Sequence, residues 1–176
     1  MIIIAGPSTV GKNPFIYHAC ELYNLEYVIP YTTRGRRSDE IEGKDYFFLT
    51  KEAFQVDIKS KKITEWDFCL NNYYGFSHDT LQGTRVITHA LSRMAIRIKE
   101  KNPQEVTTIF LMPQNKDKIF SNLNQIYKGD DLLLRKALVE EEICHSVLFD
   151  EIITVSDSAI ELLYDESVKK IILNTK

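Results

Sequence analysis

At 176 residues, the chain has the length of about one domain and is long enough to bury a hydrophobic core. Its composition, 44% hydrophobic and 27% charged, is typical of globular proteins and argues against a disordered chain. The formal net charge of -3 argues against a nucleic-acid partner, which would favour a basic surface. No apolar run approaches the ~20 residues that a membrane helix requires. The N-terminal residues show no basic leader or cleavage site, so we expect a cytoplasmic protein with no membrane partner.

Aliphatic runs and helical patterns alternate along the chain. Residues 2–5 predict a buried parallel strand and residues 12–24 a helix. Residues 30–77 carry turns, charges and aromatic side chains that are typical of short strands. Further strands are predicted at 86–88, 106–112 and 152–155, and helices at 90–101, 115–127, 131–145 and from Ser156 or Asp157 to 173.

Strands that alternate with helices predict an α/β fold, here a three-layer sandwich around a mostly parallel, five-stranded core sheet. We expect one domain over residues 1–176, with the core formed by residues 1–32, 78–114 and 146–176. Residues 33–77 would form a small β-rich lobe, and residues 115–145 a helical lid. Two segments inserted into one core are typical of a protein whose parts close over two ligands.

The turn after the first strand matches the phosphate-loop pattern G-x-x-x-x-G-K and lies between a strand and a helix. Its residues are Gly6, Pro7, Ser8, Thr9, Val10, Gly11 and Lys12. Backbone N–H groups of such a loop point inward, and the helix N-terminus adds partial positive charge. We therefore expect an ATP-binding loop in which Lys12 reaches the outer phosphates.

The position after Lys12 departs from that pattern. The pattern requires Ser or Thr, whose hydroxyl binds Mg²⁺, and this chain has Asn13. An amide oxygen can also bind Mg²⁺, so Asn13 is the candidate metal ligand and Mg²⁺ with ATP the candidate cofactor. Pro14 removes one backbone N–H beside the phosphates. Both changes predict weaker binding of ATP and Mg²⁺.

Several motifs follow in a specific order. They are Thr32-Thr33-Arg34-Gly35-Arg36-Arg37, Glu40, Gly43-Lys44-Asp45-Tyr46-Phe47-Phe48, Glu65-Trp66 and Tyr73-Tyr74-Gly75. Together with the phosphate loop, they resemble the guanylate kinase family across nearly the whole chain. The resemblance implies a P-loop nucleoside monophosphate kinase that binds GMP on the β-rich lobe and ATP on the loop.

The resemblance also assigns roles to residues of the lobe. Arg34 and Arg37 would grip the GMP phosphate, since a guanidinium binds phosphate oxygens in pairs. Tyr46 and Tyr74 would add hydroxyl donors to the same phosphate. Glu40 would support the arginines or contact the ribose.

Glu65 would recognise the base. Its carboxylate would accept hydrogen bonds from the guanine N1–H and exocyclic amine, which adenine does not offer together. A buried polar group of this kind discriminates strongly, because the wrong base leaves it unpaired.

The family's charges for phosphoryl transfer are only partly present. At the two lid positions where the family has arginines, this chain has Asn122 and Ile126, whereas Arg135 is retained. At the family's acidic positions after the 86–88 strand, the chain has His89 and Leu91, and we interpret His89 as a surface or helix-start histidine. The remaining catalytic candidates are Lys12, Arg34 and Arg135.

Three hypotheses follow. The first is a divergent ATP:GMP phosphotransferase, which either is slow or uses Lys116, Lys118 or Lys128 of the lid in place of the missing arginines. The second is an inactive guanylate-kinase-like module that binds a nucleotide or a protein partner. The third is a kinase for another small phosphorylated substrate.

Overall fold

The computed structural model describes residues 1–81, 83–156 and 158–174. These residues form a five-stranded sheet in which every neighbouring pair is parallel, as expected from the alternation of strands and helices. Its strands are β1 (Ile2–Ala5), β2 (Glu26–Tyr27), β7 (Val86–His89), β8 (Thr107–Pro113) and β9 (Glu151–Val155), in the order β2-β7-β1-β8-β9. The predicted core sheet is therefore confirmed.

Strand β1 lies at the centre of this sheet and is buried on both faces. Ile2 and Ile4 pack into one hydrophobic cluster, and Ile3 and Ala5 pack into a second cluster on the opposite face. Successive side chains of a strand point to opposite faces, so an unbroken aliphatic run supplies both clusters. This alternation produces the three-layer arrangement.

Six helices are described. They are α1 (Lys12–Tyr23), α2 (Lys51–Lys59), α3 (Ser92–Lys101), α4 (Lys116–Ile126), α5 (Gly129–His145) and α6 (Glu166–Asn174). Helix α2 packs on a second sheet, and the others lie along the five-stranded sheet. Helices α1, α3, α4 and α5 lie within about two residues of their predicted bounds. Among the described residues, no helix has the length and apolar character needed to cross a membrane.

A second sheet stands beside the first and has mixed strand directions. Its strands are β3 (Tyr31–Thr32), β4 (Phe47–Phe48), β5 (Ile63–Cys69) and β6 (Asn72–Ser77), in the order β4-β3-β6-β5. Helix α2 lies between β4 and β5 and was missed, because this region was interpreted as short strands alone. Thr50 begins α2 by accepting a hydrogen bond from the Ala53 N–H, and Phe54 is its buried residue.

The C-terminal segment differs from the prediction. The single helix predicted up to residue 173 is wrong, since a 3₁₀ turn at Glu161–Tyr164 precedes α6. Asp165 separates them in an extended conformation, and its carboxylate accepts a hydrogen bond from the Ser167 N–H at the start of α6. Ser156 lies well before that start, and Asp157 lies outside the described residues.

Gly75 provides a test of how tightly the second sheet is packed. A Cβ at this position would lie 2.8 Å from the Glu65 carbonyl oxygen and 2.9 Å from Ile63 Cγ2. We expect Gly75→Ala to lower the free energy of unfolding by about 1–3 kcal/mol, measured by urea denaturation. Gly35→Ala is the matched control, because no atom lies within 4 Å of its added Cβ. Equal midpoints for the two variants would contradict this packing argument.

Candidate active site

A cavity of about 360 Å³ opens where the carboxyl ends of β1 and β7 meet the second sheet and helix α5. Most of the predicted site residues line it. These are Ser8, Thr9, Gly11, Lys12, Asn13, Arg34, Arg37, Glu40, Tyr46, Tyr74 and Arg135. Ligand sites of parallel α/β sheets characteristically lie at this edge.

The phosphate loop connects β1 to α1 and takes up conformations that require small residues. Gly6 has a φ of 143°, and an added Cβ there would lie 2.6 Å from the Leu111 carbonyl oxygen. Gly11, with a φ of 98°, immediately precedes α1. The Lys12 ammonium donates to the carbonyl oxygens of Gly6 and Pro7, at 2.6 and 2.9 Å. Loss of water on burial lowers the pKa of Lys12.

Glu40 holds the arginine segment in place. Its carboxylate accepts hydrogen bonds from Arg34 Nη2 at 2.5 Å and Nη1 at 3.0 Å, and from the Arg37 N–H at 2.8 Å. Glu40 and the Arg34 side chain are almost fully buried. Hydrogen bonds from Arg34 and Arg37 outweigh burial and lower the pKa of Glu40, so it is ionised at neutral pH. Glu40 thus supports the arginines, as its position in the motif suggested.

Arg37 and Arg135 meet at one aromatic side chain. Arg37 Nη2 donates to the Tyr127 hydroxyl at 2.8 Å, and the Arg135 guanidinium lies 3.7 Å from the centre of the Tyr127 ring. Arg135 also pairs with Asp131 one turn earlier on α5. These contacts join the loop between β3 and β4 to the 115–145 segment.

His89 is not a surface histidine, and that interpretation is wrong. The residue is 5% exposed, and its ring nitrogens bond to the hydroxyls of Tyr46 (2.8 Å) and Tyr27 (3.0 Å). Burial, followed by repulsion from Lys12, lowers the pKa of His89 to about 3, so the ring is neutral at pH 7. His89 therefore orients Tyr46, the tyrosine predicted to contact a phosphate.

Asn13 links the phosphate-loop helix to the second lobe. Its amide nitrogen donates to Asp45 Oδ1 at 3.2 Å, and the Tyr17 hydroxyl donates to the same oxygen at 2.7 Å. Asp45 Oδ2 accepts from the Ile41 N–H. The residue that replaces the expected loop hydroxyl thus fixes the loop against the G-x-D-Y motif.

The cavity offers few protein ligands for a metal ion. Across residues 1–81, 83–156 and 158–174, no group of three or more His, Cys, Asp or Glu side chains is placed to hold one. Mg²⁺ in phosphate-transfer sites needs only one or two protein oxygens, because phosphates and water complete its shell. Asn13 uses its nitrogen, not its amide oxygen, in the bond to Asp45. The residues present therefore fit a Mg²⁺ that arrives with nucleotide phosphates.

Gly6, Pro7 and Val10 of the loop do not line this cavity, and neither does Glu65, the predicted base-recognising residue. An irregularity in β5 between Ile63 and Glu65 precedes it, and its carboxylate pairs with Lys101 and Arg97 of α3. It lines a separate depression that also contains Lys101 and Met1. Arg97 and Lys101 lie one turn apart on α3, and this spacing was a signal in the sequence that they could share an acidic partner. The sequence did not show that α3 lies beside β5.

Glu142 lines the cavity and was missed as a site residue. It is 4% exposed, and burial raises its pKa to about 7. It lies seven residues after Arg135 on α5. Seven residues are close to two helical turns, so both face the same side of α5, and this spacing is the signal that could have found it.

Comparison with known proteins identifies the family. The family model described as guanylate kinase matches residues 1–173. This chain belongs to the guanylate kinase family. The guanylate kinase of Blochmanniella pennsylvanica is 29% identical over 96% of this chain and 84% of its own length, and that of Buchnera aphidicola subsp. Schizaphis graminum is 30% identical over 89% and 80%.

A solved structure confirms the fold class. The crystal structure of guanylate kinase from Anaplasma phagocytophilum superimposes with a TM-score of 0.77, covering 98% of this chain and 84% of that chain at 22% identity. At this identity the likeness concerns the fold. The predicted α/β P-loop architecture and the family resemblance are both confirmed.

Proposed function

We propose that this protein transfers a phosphoryl group from ATP to GMP, at a rate below that of a guanylate kinase with a complete lid. The observation that carries the proposal is the convergence of two phosphate-binding elements on one cavity. The loop that ends in Lys12 lies on one side, and Arg34, Arg37 and Tyr46 of the second lobe lie on the other. Phosphoryl transfer depends mainly on positioning and charge neutralisation, which such an arrangement supplies.

The loop side would bind the donor nucleotide. The N–H groups at the start of α1 and the Lys12 ammonium would face the outer phosphates of ATP. Lys12 now donates to two loop carbonyls, so it would exchange those neutral partners for phosphate oxygens. When bound, Mg²⁺ would neutralise charge on the transferred group, and Asn13 is the residue that would hold it.

The lobe side would bind the acceptor through its phosphate. The Arg37 guanidinium hydrogen-bonds to the Tyr127 hydroxyl and lies 4.0 Å from Glu40 Oε1, so a dianionic phosphate would be a stronger partner for it. Tyr46 and Tyr74 line the same wall and would add hydroxyl donors. Recognition of guanine by Glu65 stays a prediction, and it would require Glu65 to leave its ion pairs with α3.

A slow rate is expected from the 115–145 helices, the predicted lid. Asn122 and Ile126 carry no charge, and neither lines the cavity. Among the lysines suggested as replacements, Lys116 pairs with Glu140 and Lys128 donates to the Asn124 carbonyl. In related phosphoryl transfers, one arginine that stabilises the transition state raises the rate about 10³- to 10⁵-fold. The absence of both lid arginines is therefore expected to lower the rate strongly.

Two other functions fit particular observations. The uncharged residues at 122 and 126 favour an inactive module that binds a nucleotide or a protein partner. The position of Glu65 outside the cavity favours a kinase for another small phosphorylated acceptor. Retention of Lys12 and Arg135 in the cavity favours an enzyme over the inactive module.

The decisive experiment is a coupled ADP-release assay with ATP, Mg²⁺ and each nucleoside monophosphate in turn. We expect ADP release that depends on GMP, and its loss in Lys12→Ala. Release with a different acceptor alone would establish the third hypothesis. No release with any acceptor, together with measurable GMP binding, would establish the inactive module.

Arg37 should contribute to binding through the phosphate. We expect Arg37→Ala to weaken the binding of GMP by about 1.5–3 kcal/mol, the contribution of a charge-assisted hydrogen bond. The affinity for guanosine, measured by calorimetry, should be unchanged. Arg36→Ala is the matched control, because Arg36 donates to the Glu40 carbonyl and does not line the cavity. Equal losses for GMP and guanosine in Arg37→Ala would show that Arg37 acts on the fold or on the base.

The first turn of α1 should limit ATP binding. The double variant Asn13→Ser with Pro14→Thr restores a hydroxyl and a backbone N–H. We expect it to raise the affinity for ATP–Mg²⁺ about tenfold, which corresponds to roughly 1.4 kcal/mol. GMP affinity should stay within about twofold, because Tyr17 still holds Asp45. Asn13→Ala with Pro14→Thr is the control that restores the N–H alone.

The outcomes of this experiment separate the loop from the lid. Tighter ATP–Mg²⁺ without faster turnover would place the barrier at positions 122 and 126. Unchanged ATP–Mg²⁺ affinity would contradict the argument, since Asn13 and Pro14 would then serve as well as the usual residues.

A further inference from the structure

Three side chains form a line from the core sheet to the second lobe. Tyr27 lies on β2, His89 ends the neighbouring strand β7, and Tyr46 immediately precedes β4. The Tyr27 hydroxyl lies 3.0 Å from His89 Nδ1, and the Tyr46 hydroxyl lies 2.8 Å from His89 Nε2. His89 and Tyr46 line the cavity, and Tyr27 does not. The proposed function uses Tyr46 as a donor to the acceptor phosphate and assigns no role to Tyr27.

The three rings are held in place by packing. The Tyr27 and His89 rings are stacked with their centres 6.1 Å apart, and the Tyr46 ring meets His89 edge-on at 5.2 Å. Tyr17 packs edge-on against Tyr27 at 5.6 Å, and the Arg34 guanidinium lies 5.4 Å from the centre of the Tyr46 ring. Each hydroxyl is therefore kept beside its own nitrogen of the imidazole.

The number of protons on these groups limits how the hydrogen bonds can be arranged. Burial raises the pKa of Tyr27 and of Tyr46 and lowers that of His89, so at neutral pH each group has one proton to donate. A neutral imidazole has one donor nitrogen and one acceptor nitrogen. The two hydrogen bonds must therefore run in the same direction along the line.

Two directions are possible, and they differ in where the third proton goes. In the first, Tyr46 donates to His89 and His89 donates to Tyr27. Tyr27 then donates to the Asp45 carbonyl oxygen, 3.3 Å away. In the second, Tyr27 donates to His89 Nδ1 and His89 Nε2 donates to Tyr46. The hydroxyl proton of Tyr46 is then directed into the cavity.

The Asp45 carbonyl competes weakly with a phosphate for this third proton. O–H···O hydrogen bonds usually span about 2.5–3.0 Å, and the contact between Tyr27 and Asp45 is 3.3 Å long. A phosphate oxygen is charged and accepts shorter and stronger bonds. With a phosphate bound beside Tyr46, the second direction is therefore favoured.

We infer that Tyr27 is a positioning residue, which acts through His89 to make Tyr46 a hydrogen-bond donor to the phosphate of the acceptor. This inference rests on the proposed function, since it concerns the acceptor site of that reaction. A bond from Tyr27 to His89 Nδ1 requires the imidazole proton at Nε2. The Nε2–H group then occupies a lone pair of the Tyr46 oxygen, and the Tyr46 proton is left for a phosphate oxygen.

The imidazole of His89 is suited to this role because its donor and its acceptor face different tyrosines. A carboxylate at position 89 would accept hydrogen bonds from both hydroxyls, and the Tyr46 proton would then be turned away from the cavity. A neutral histidine instead transmits the direction of one bond to the next. The residue at 89 therefore determines whether Tyr46 donates to a ligand or to the protein.

The first test is a double-mutant cycle of Tyr27→Phe and Tyr46→Phe, in which the binding of GMP and guanosine is measured by calorimetry. We expect Tyr27→Phe to weaken GMP binding about three- to tenfold and Tyr46→Phe about ten- to hundredfold. Guanosine affinity should be unchanged in both, because it has no phosphate. In the Tyr46→Phe background, Tyr27→Phe should change GMP affinity by less than about twofold, since Tyr27 acts through Tyr46.

Tyr23→Phe is the matched control for this cycle. The Tyr23 hydroxyl donates to the Leu163 carbonyl oxygen, and Tyr23 does not line the cavity. The variant removes one tyrosine hydroxyl bonded within the protein, as Tyr27→Phe does. It should leave the affinities for GMP and guanosine unchanged.

The second test observes the imidazole directly in the wild type, so it does not depend on the folding of a tyrosine variant. Nitrogen-15 NMR distinguishes a protonated ring nitrogen from an unprotonated one. The His89 signals are identified among those of the four histidines by their absence from the spectrum of His89→Gln. In the GMP complex we expect the proton at Nε2, and in Tyr27→Phe the fraction with Nε2–H should fall.

Several results would overturn the inference. They are an unchanged GMP affinity in Tyr27→Phe, an equal loss of GMP and guanosine, the full loss retained in the Tyr46→Phe background, or a proton at His89 Nδ1 in the GMP complex. A wild type that binds GMP with the expected cycle and spectrum, but releases no ADP, would overturn the proposed reaction and support the role of Tyr27. A wild type that does not bind GMP would overturn both.

Discussion

The main constraint on this structure is a concentration of positive charge around one cavity. Of the described residues that line it, Lys12, Arg34, Arg37 and Arg135 are cationic, and like charges at short range repel one another where water is scarce. The fold gives each of them at least one polar or aromatic partner. Lys12 donates to loop carbonyls, and Arg34 to the Glu40 carboxylate.

The partners differ in strength, and this divides the arginines into two classes. Arg34 and Glu40 form a buried pair joined by two hydrogen bonds, and breaking such a pair is costly. Arg37 instead bonds to the Tyr127 hydroxyl and lies at 4.0 Å from Glu40, and Arg135 packs on the Tyr127 ring and pairs with the exposed Asp131, and such contacts are weaker. A phosphate would displace the second kind of contact far more easily. Arg34 therefore serves first to shape the arginine segment, whereas Arg37 and Arg135 are able to change partners.

The sequence predicted those features that depend on local pattern. The aliphatic run of β1 and the glycine spacing before Lys12 were sufficient for the central strand and its loop. The environments of His89 and Glu65 were not predictable in this way, because distant segments create them. His89 is buried by tyrosines 43 and 62 residues away, and Glu65 is turned toward α3 by cations more than thirty residues along the chain. Side-chain partners of this kind emerge only when the two sheets come together.

The same long-range packing gives Asn13 a second role. In the phosphate-loop motif, the residue at this position binds the metal through a hydroxyl, so an amide there suggests the loss of a metal ligand. In the structure its nitrogen bonds to Asp45, the residue before Tyr46, and Tyr17 reinforces the contact from the next turn of α1. Tyr46 in turn bonds to His89, beside β1 in the core sheet. The phosphate loop and the second lobe are therefore joined by a set of side-chain hydrogen bonds, and the residue that replaces the expected loop hydroxyl is part of that connection.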